Sequence, residues 1–341
     1  MPIPSSSRRV TITDVARAAG VSIKTVSRVT NGVATVNPEM AQRVREAIEE
    51  LGYRPNYLAS QLKSGTSPRT IGFIAKDLSN THTSDIFAGV ATVARRHSAQ
   101  VIAANTEESG SSTEDLRVAE ELARRGIDGL VIMATGGDYS AFTSATFHGI
   151  PRLFVDRDVP GEDVVVHDDV DGAEKAMTAL IARGHRRIAH LYSSMTIPTM
   201  RGRHLGVDAA LRRAGHLRSQ APRIAGIMTR DVAAETVGHL LDSSNPPTAI
   251  LCGSSEILFG CVRELLARGR QDVLVAAFGT ERDVELLPLP VVLVETDGFD
   301  LGHGAANALF QRITRGGADT RRVVQPASVR EVRPLGPSAD G

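Results

Sequence analysis

From Ile71 onward, short β-branched runs alternate with amphipathic stretches, and this alternation leaves few architectures open to the chain. Candidate strands are Ile71–Ala75, Val101–Ala104, Leu130–Met133, Leu153–Asp156, Ile188–Tyr192, Ala249–Cys252 and Val273–Phe278. Between them lie helical stretches at Thr113–Arg125, Val170–Arg183, Arg201–Arg213, Glu256–Arg268 and Phe299–Thr314. The pattern implies parallel sheets covered by helices on both faces, with ligands bound beyond the carboxyl ends of the strands. A chain of 341 residues is long for one domain, and 42% hydrophobic residues suffice for sizeable cores.

The first 65 residues follow a different rule. They hold nine Lys and Arg against five acids, although the whole chain has a net charge of zero. A basic head on an acidic body suits a modular nucleic-acid binder. Thr11–Ala19 reads as a short helix, with Thr13 as its cap and Asp14 at its positive end. Gly20 supplies the left-handed backbone of a tight turn, Val21 a buried plug, and Ser22 the cap of a second helix, Ile23–Thr30. Val26 and Val29 face inward there, while Ile23, Lys24, Ser27 and Arg28 take the opposite side. Asn37 and Pro38 open a third helix, whose stripe is Met40, Val44, Ala47, Ile48 and Leu51 before Gly52 ends it. Two short helices, a glycine turn and a polar basic face make a helix-turn-helix.

Other chemistries find little support. Cys252 and Cys261 fit no zinc spacing and read as buried structural thiols in a reducing cytoplasm. The start MPIPSSSRRV has no apolar stretch behind its arginines, and no run approaches the ~20 apolar residues of a membrane span. Ser60-Gln-Leu-Lys63 matches the S-x-x-K of acyl-enzymes without the companion motifs. Gly302 and Gly304 lack the third glycine of a dinucleotide fingerprint and read as helix-packing positions. No enzyme, cofactor or metal is expected. The excess of arginine over lysine points to a GC-rich bacterial genome.

ITDVARAAGVSIKTVSRVTNG, followed by VNPEM and VREAIEELGYRPN, resembles the head of the lactose-repressor (LacI/GalR) family almost position by position. The resemblance implies that Ile23, Lys24 and Arg28 enter the DNA major groove, where an arginine can grip guanine with two hydrogen bonds. Ser22, Thr25, Ser27 and Asn31 would bind phosphates and fix the register. Asn56 would cap a hinge helix carrying Ala59, Leu62 and Lys63. Two such helices in a homodimer would enter the minor groove, with Leu62 as the wedge.

TIGFIAKDLSN, RRGIDGLVIMA, RGHRRIAHL, RGRHLGVDAAL and PPTAILCG resemble the family's core, related to periplasmic sugar-binding proteins. The implied fold is an all-α helix-turn-helix head with hinge helix, then an α/β core of two doubly wound parallel-sheet subdomains flanking an effector cleft. The domains expected are a disordered stretch 1–10, the head 11–55, hinge and linker 56–68, the core 69–334 and a disordered tail 335–341. Crossings between subdomains fall near Pro160, Glu295 and Arg321. The tail lacks a tetramerising leucine repeat, so a dimer is the default.

His82, Asp156, Arg203, Met228 and Ser254 are the implied effector residues. Around them the sequence departs from the family. Thr81, His82 and Thr83 replace a proline and two aromatics, and Ser254 and Ser255 replace Asn-Asp. Ala277-Phe278-Gly279-Thr280 replaces Gly-Phe-Asp-Asp and loses an acid that often binds the ligand. Met228 stands where an aromatic platform is frequent, and the chain has no Trp. The implied function is a transcriptional repressor on a near-palindromic operator, modulated by a small molecule such as a sugar. The alternatives are a regulator with a degenerate effector site, or a solute binder or enzyme on the same body.

Overall fold

The computed structural model describes residues 10–30, 36–52, 69–106, 112–215, 221–316 and 321–334. The chain divides into two compact units, Met1–Pro68 and Arg69–Gly341.

In the first unit, α1 (Ile12–Ala19), α2 (Ile23–Thr30) and α3 (Pro38–Leu51) enclose Val15, Val26, Val44 and Ala47. The cap of α1 is Thr11 and not Thr13. Thr11 N–H donates to Asp14 Oδ2 (2.9 Å) and Asp14 N–H to Thr11 Oγ1 (3.4 Å), closing a capping box earlier in the chain than expected. Gly20 ends α1 at φ +64°, so the turn into α2 uses backbone that a side chain would strain. Asn37 caps α3 through Glu39 N–H (2.9 Å), with Pro38 at its first position. Met40 leaves the expected stripe and stands 41% exposed, because it lies in the first turn, ahead of the buried Val44 and Ala47.

The second unit contains two six-stranded sheets. The first holds β1 (Thr70–Ala75), β2 (Gln100–Asn105), β3 (Gly129–Ile132), β4 (Arg152–Val155), β5 (Val164–His167) and β11 (Arg322–Gln325), in the order β11-β5-β4-β3-β1-β2 and all parallel. The second holds β6 (Ile188–Leu191), β7 (Arg223–Ile224), β8 (Ala249–Cys252), β9 (Leu274–Gly279), β10 (Val291–Glu295) and β12 (Ser328–Val332), in the order β12-β10-β9-β8-β6-β7. Only its β10–β12 pair is antiparallel. Central strands such as GLVI and AILC are buried throughout, as strands covered on both faces must be.

The covering helices are α4 (Thr81–Arg96), α5 (Ser112–Arg124), α6 (Asp169–Ala182), α7 (Pro198–Arg213), α8 (Arg230–Leu241), α9 (Ser255–Ala267), the one-turn α10 (Glu281–Val284) and α11 (Gly298–Arg315). They pair as α4 with α11, α6 with α7 and α8 with α9. Gly302 shows why α4 and α11 approach so closely: a Cβ there would collide with the Ile86 carbonyl oxygen. Gly304, by contrast, has only ordinary neighbours.

Among the described residues the chain crosses between sheets three times. The first crossing follows β5, at Asp168 and not near Pro160, because β5 still pairs with β4. The second runs through Thr296 and Asp297, beside the expected Glu295. The third, at Pro326 and Ala327, lies beyond Arg321, since β11 first completes the edge of the first sheet. Among the described residues no helix is long and apolar enough to cross a membrane.

Candidate nucleic-acid interface and ligand cleft

In the first unit, α2 separates its residues by face. Ser22, Ile23, Lys24 and Arg28 stand toward solvent, whereas Val26 is sealed and Thr25 and Ser27 are half-buried. Ile23 is 49% exposed, an unfavourable place for an apolar side chain unless something covers it. Ser22 Oγ accepts from Thr25 N–H (3.1 Å) and lies 2.9 Å from Thr25 Oγ1, so the start of α2 is fixed. Neither Lys24 nor Arg28 has an ion-pair partner among the described residues. Asn31 and the hinge positions Asn56, Ala59, Leu62 and Lys63 lie outside the described residues, as do the flanks 1–9 and 335–341.

In the second unit, both sheets reverse strand order between their fourth and fifth strands, β3 and β1 in the first and β8 and β6 in the second. Crevices open at such points beyond the carboxyl ends of the strands. The cavity found there measures about 320 Å³, and its wall follows the strand ends in order: Lys76 after β1, Met133 after β3, Asp156 after β4, then Ser193, Ser254 and Thr280 from the second sheet. His82, Asp156, Arg203, Met228 and Ser254 all line it.

Their commitments differ. His82 Nε2 lies 2.9 Å from Asp156 Oδ1. Asp156 sits at φ +71°, a conformation uncommon outside glycine and tolerated best by Asp and Asn. Burial alone would raise its pKa, but His82, Arg157 and Arg203 outweigh it and hold the carboxyl below the usual range. Arg203 donates from Nε to Asp169 Oδ1 (2.7 Å) and from Nη1 to the Gly253 carbonyl, and its guanidinium lies 3.9 Å from the centre of the Phe278 ring. Burial raises the pKa of Asp169, with Arg203 opposing it. Ser254 Oγ caps α9 by accepting from Ile257 N–H (3.4 Å), and Met228 is exposed.

Among the lining residues that escaped sequence reasoning, Phe259, Thr296 and Asp283 matter most. Phe259 supplies an aromatic wall, so the cleft is less depleted of rings than the missing Trp suggested, although Arg230 stacks over this one. Thr296 follows β10. Asp283 brings a carboxylate to the cavity from α10, accepting from Ser255 Oγ (2.8 Å) and Thr280 N–H (2.8 Å). The T-x-x-D spacing of a capping box was the signal that could have found it. His167, at the end of β5, is buried with neither ring nitrogen hydrogen-bonded in the structure, and burial lowers its pKa to about 4. No group of His, Cys, Asp and Glu among the described residues could hold a metal ion.

Comparison with known proteins covers both units. Residues 11–56 match the bacterial regulatory proteins of the lacI family, and residues 68–331 the periplasmic binding proteins and sugar binding domain of the LacI family. The chain is 30% identical to the maltose regulon regulatory protein MalI of Escherichia coli K12, across 95% of this chain and 98% of that one. It is 28% identical to catabolite control protein A of Priestia megaterium, across 93% and 96%. The lac repressor dimer bound to operator and the anti-inducer ONPF superposes with a TM-score of 0.77 at 26% identity, covering 96% of this chain and 99% of that one. The chain therefore belongs to the lacI family of bacterial regulatory proteins.

Proposed function

We propose that this chain is a cytoplasmic transcriptional repressor that binds a near-palindromic operator as a homodimer and answers to a small molecule in its cleft. The observation that carries the reading is the exposed face of α2, where Ile23, Lys24 and Arg28 stand clear of the protein's own core. Lys24 and Arg28 can donate to base edges, and Ile23 can meet a thymine methyl. Ser22, Thr25, Ser27 and Asn31 take phosphates, while Asn56, Ala59, Leu62 and Lys63 form the minor-groove hinge with Leu62 as its wedge. The operator-bound lac repressor dimer supports the two-fold arrangement. A cleft of this size suits a ligand no larger than a sugar, and a cellobiose complex is known for another structural relative. No catalytic step is assigned to any residue.

The test is fluorescence anisotropy of full-length protein against selected and random duplexes across a salt series. Specific, salt-sensitive binding by the dimer is expected. Arg28→Ala should weaken the selected duplex by about 1–3 kcal/mol and relax preference at one base pair. Equal losses on selected and random DNA would remove Arg28 from base reading, and no binding at low salt would end the regulator proposal.

A further inference from the structure

The family's strand-end acid is replaced here by Gly279, yet a carboxylate occupies nearly the same place. A Cβ at Gly279 would lie 2.9 Å from Asp283 Oδ2 and 2.9 Å from Ser255 Oγ, closer than real Cβ contacts fall. Any side chain at 279 therefore competes with Asp283 for one space. Asp283 fills it because α10 begins immediately after β9 and turns its fourth residue, counted from Thr280, back over the strand end.

Helix capping accounts for part of this arrangement, since an acid at that position of a capping box accepts the Thr280 N–H. It does not account for the hydroxyl of Ser255, on α9, donating to the same oxygen. Nor does it account for a glycine at a position whose side chain would crowd the carboxylate.

The other acids of the cavity wall are spoken for. Asp156 faces His82 and Arg157, Glu256 is gripped twice by Arg230 (2.9 and 2.8 Å), and Asp77 turns into its own loop onto Ser79. Asp283 has no ion-pair partner among the described residues, and both of its hydrogen bonds fall on Oδ2. Its Oδ1 keeps both lone pairs for donors from outside the protein.

We propose that Asp283, seated by Gly279 and Ser255, is the ligand-binding acid of this cleft and selects ligands presenting a hydroxyl or ammonium donor to its Oδ1. The proposal rests on the regulator reading only for the consequence of binding. The same one-turn helix carries Arg282, which reaches Asp85 of the facing subdomain (3.3 Å), so a ligand held by Asp283 touches the element that spans the cleft.

Two measurements on the full-length chain test it. The first is a double-mutant cycle by thermal unfolding. Gly279→Asp should lower the midpoint by about 2–6 °C. In the Gly279→Asp/Asp283→Ala double variant most of that loss should vanish, because the vacated space receives the new carboxylate. Additive shifts overturn the shared-space argument. The second is calorimetric titration with D-ribose, D-glucose and D-glucosamine. At least one should bind the wild type, and Asp283→Asn should weaken it at least roughly tenfold, since an amide cannot match a charged acceptor. A larger loss for glucosamine than for glucose identifies an ammonium donor, and equal losses identify a hydroxyl. Unchanged affinity in Asp283→Asn, or no binding of any of the three to wild type, overturns the ligand assignment. Neither measurement involves DNA, so failure of the regulator reading is separately visible by anisotropy.

Discussion

His167 and His190 are buried with both ring nitrogens unmet by protein groups, and burial lowers their pKa values to about 4 and about 3. An unfolded histidine takes its proton near pH 6.5. Between that value and the folded ones, the unfolded chain holds more protons, so stability rises with pH and is lost on acidification. A tenfold drop in proton affinity on folding is worth about 1.4 kcal/mol, and the steep window runs from pH 6.5 down to about 4. Urea midpoints at about pH 7, 6 and 5 should therefore fall progressively, and His190→Leu should flatten the fall. A variant as acid-sensitive as the wild type would acquit His190. None of this was legible in the sequence, where a histidine in a strand carries no mark of its burial. Arg203, in the first half of α7, and Asp156, at the end of β4, were legible because the family pattern marks both, but their partners Asp169 and His82 come from distant segments.

Elements were readable where apolar periodicity was strong. Seven strands and five helices lie where the alternation put them, with ends shifted by a residue or a few. The helix Thr81–Arg96 escaped because its first turn, THTSD, holds no apolar residue before Ile86. β11, with the burial pattern of an exposed edge, and the two-residue β7 were too polar or too short to signal. β5 and β10 are apolar runs buried on both faces, as are GLVI and AILC, so no difference in burial pattern explains why they were missed. Gly302 was readable as a packing position, but which helix it meets was not. A Cβ at Gly89 would collide with the Phe299 carbonyl, and Gly302 returns the contact on Ile86. A methyl at Gly302 must push α4 and α11 apart, so Gly302→Ala should cost about 1–3 kcal/mol despite alanine's better helix propensity. Chemical denaturation measures it directly. A neutral or stabilising result would mean the helices can separate freely.

At the scale of the molecule, the two sheets repeat one strand order and face one cavity across three crossings. The Arg282–Asp85 pair joins their rims, but Arg282 is 67% exposed and the pair is correspondingly weak, about 0–1 kcal/mol. Arg282→Ala should therefore change the equilibrium between joined and parted rims by no more than about fivefold. Small-angle scattering with and without ligand reads that shift, and a locked or collapsed cleft would contradict it. The third crossing also imposes an order in time. β11 and β12 are the last strands of the chain, and each completes a different sheet. The first sheet cannot be completed until synthesis has passed Gln325, nor the second until Val332, whereas the three head helices are already out at Leu51. At about 5–20 residues per second, the ribosome needs roughly 15–55 s to cover the interval. During translation the nascent head therefore precedes the complete core, and the response to a cleft ligand proposed above can begin only once the last strand is in place.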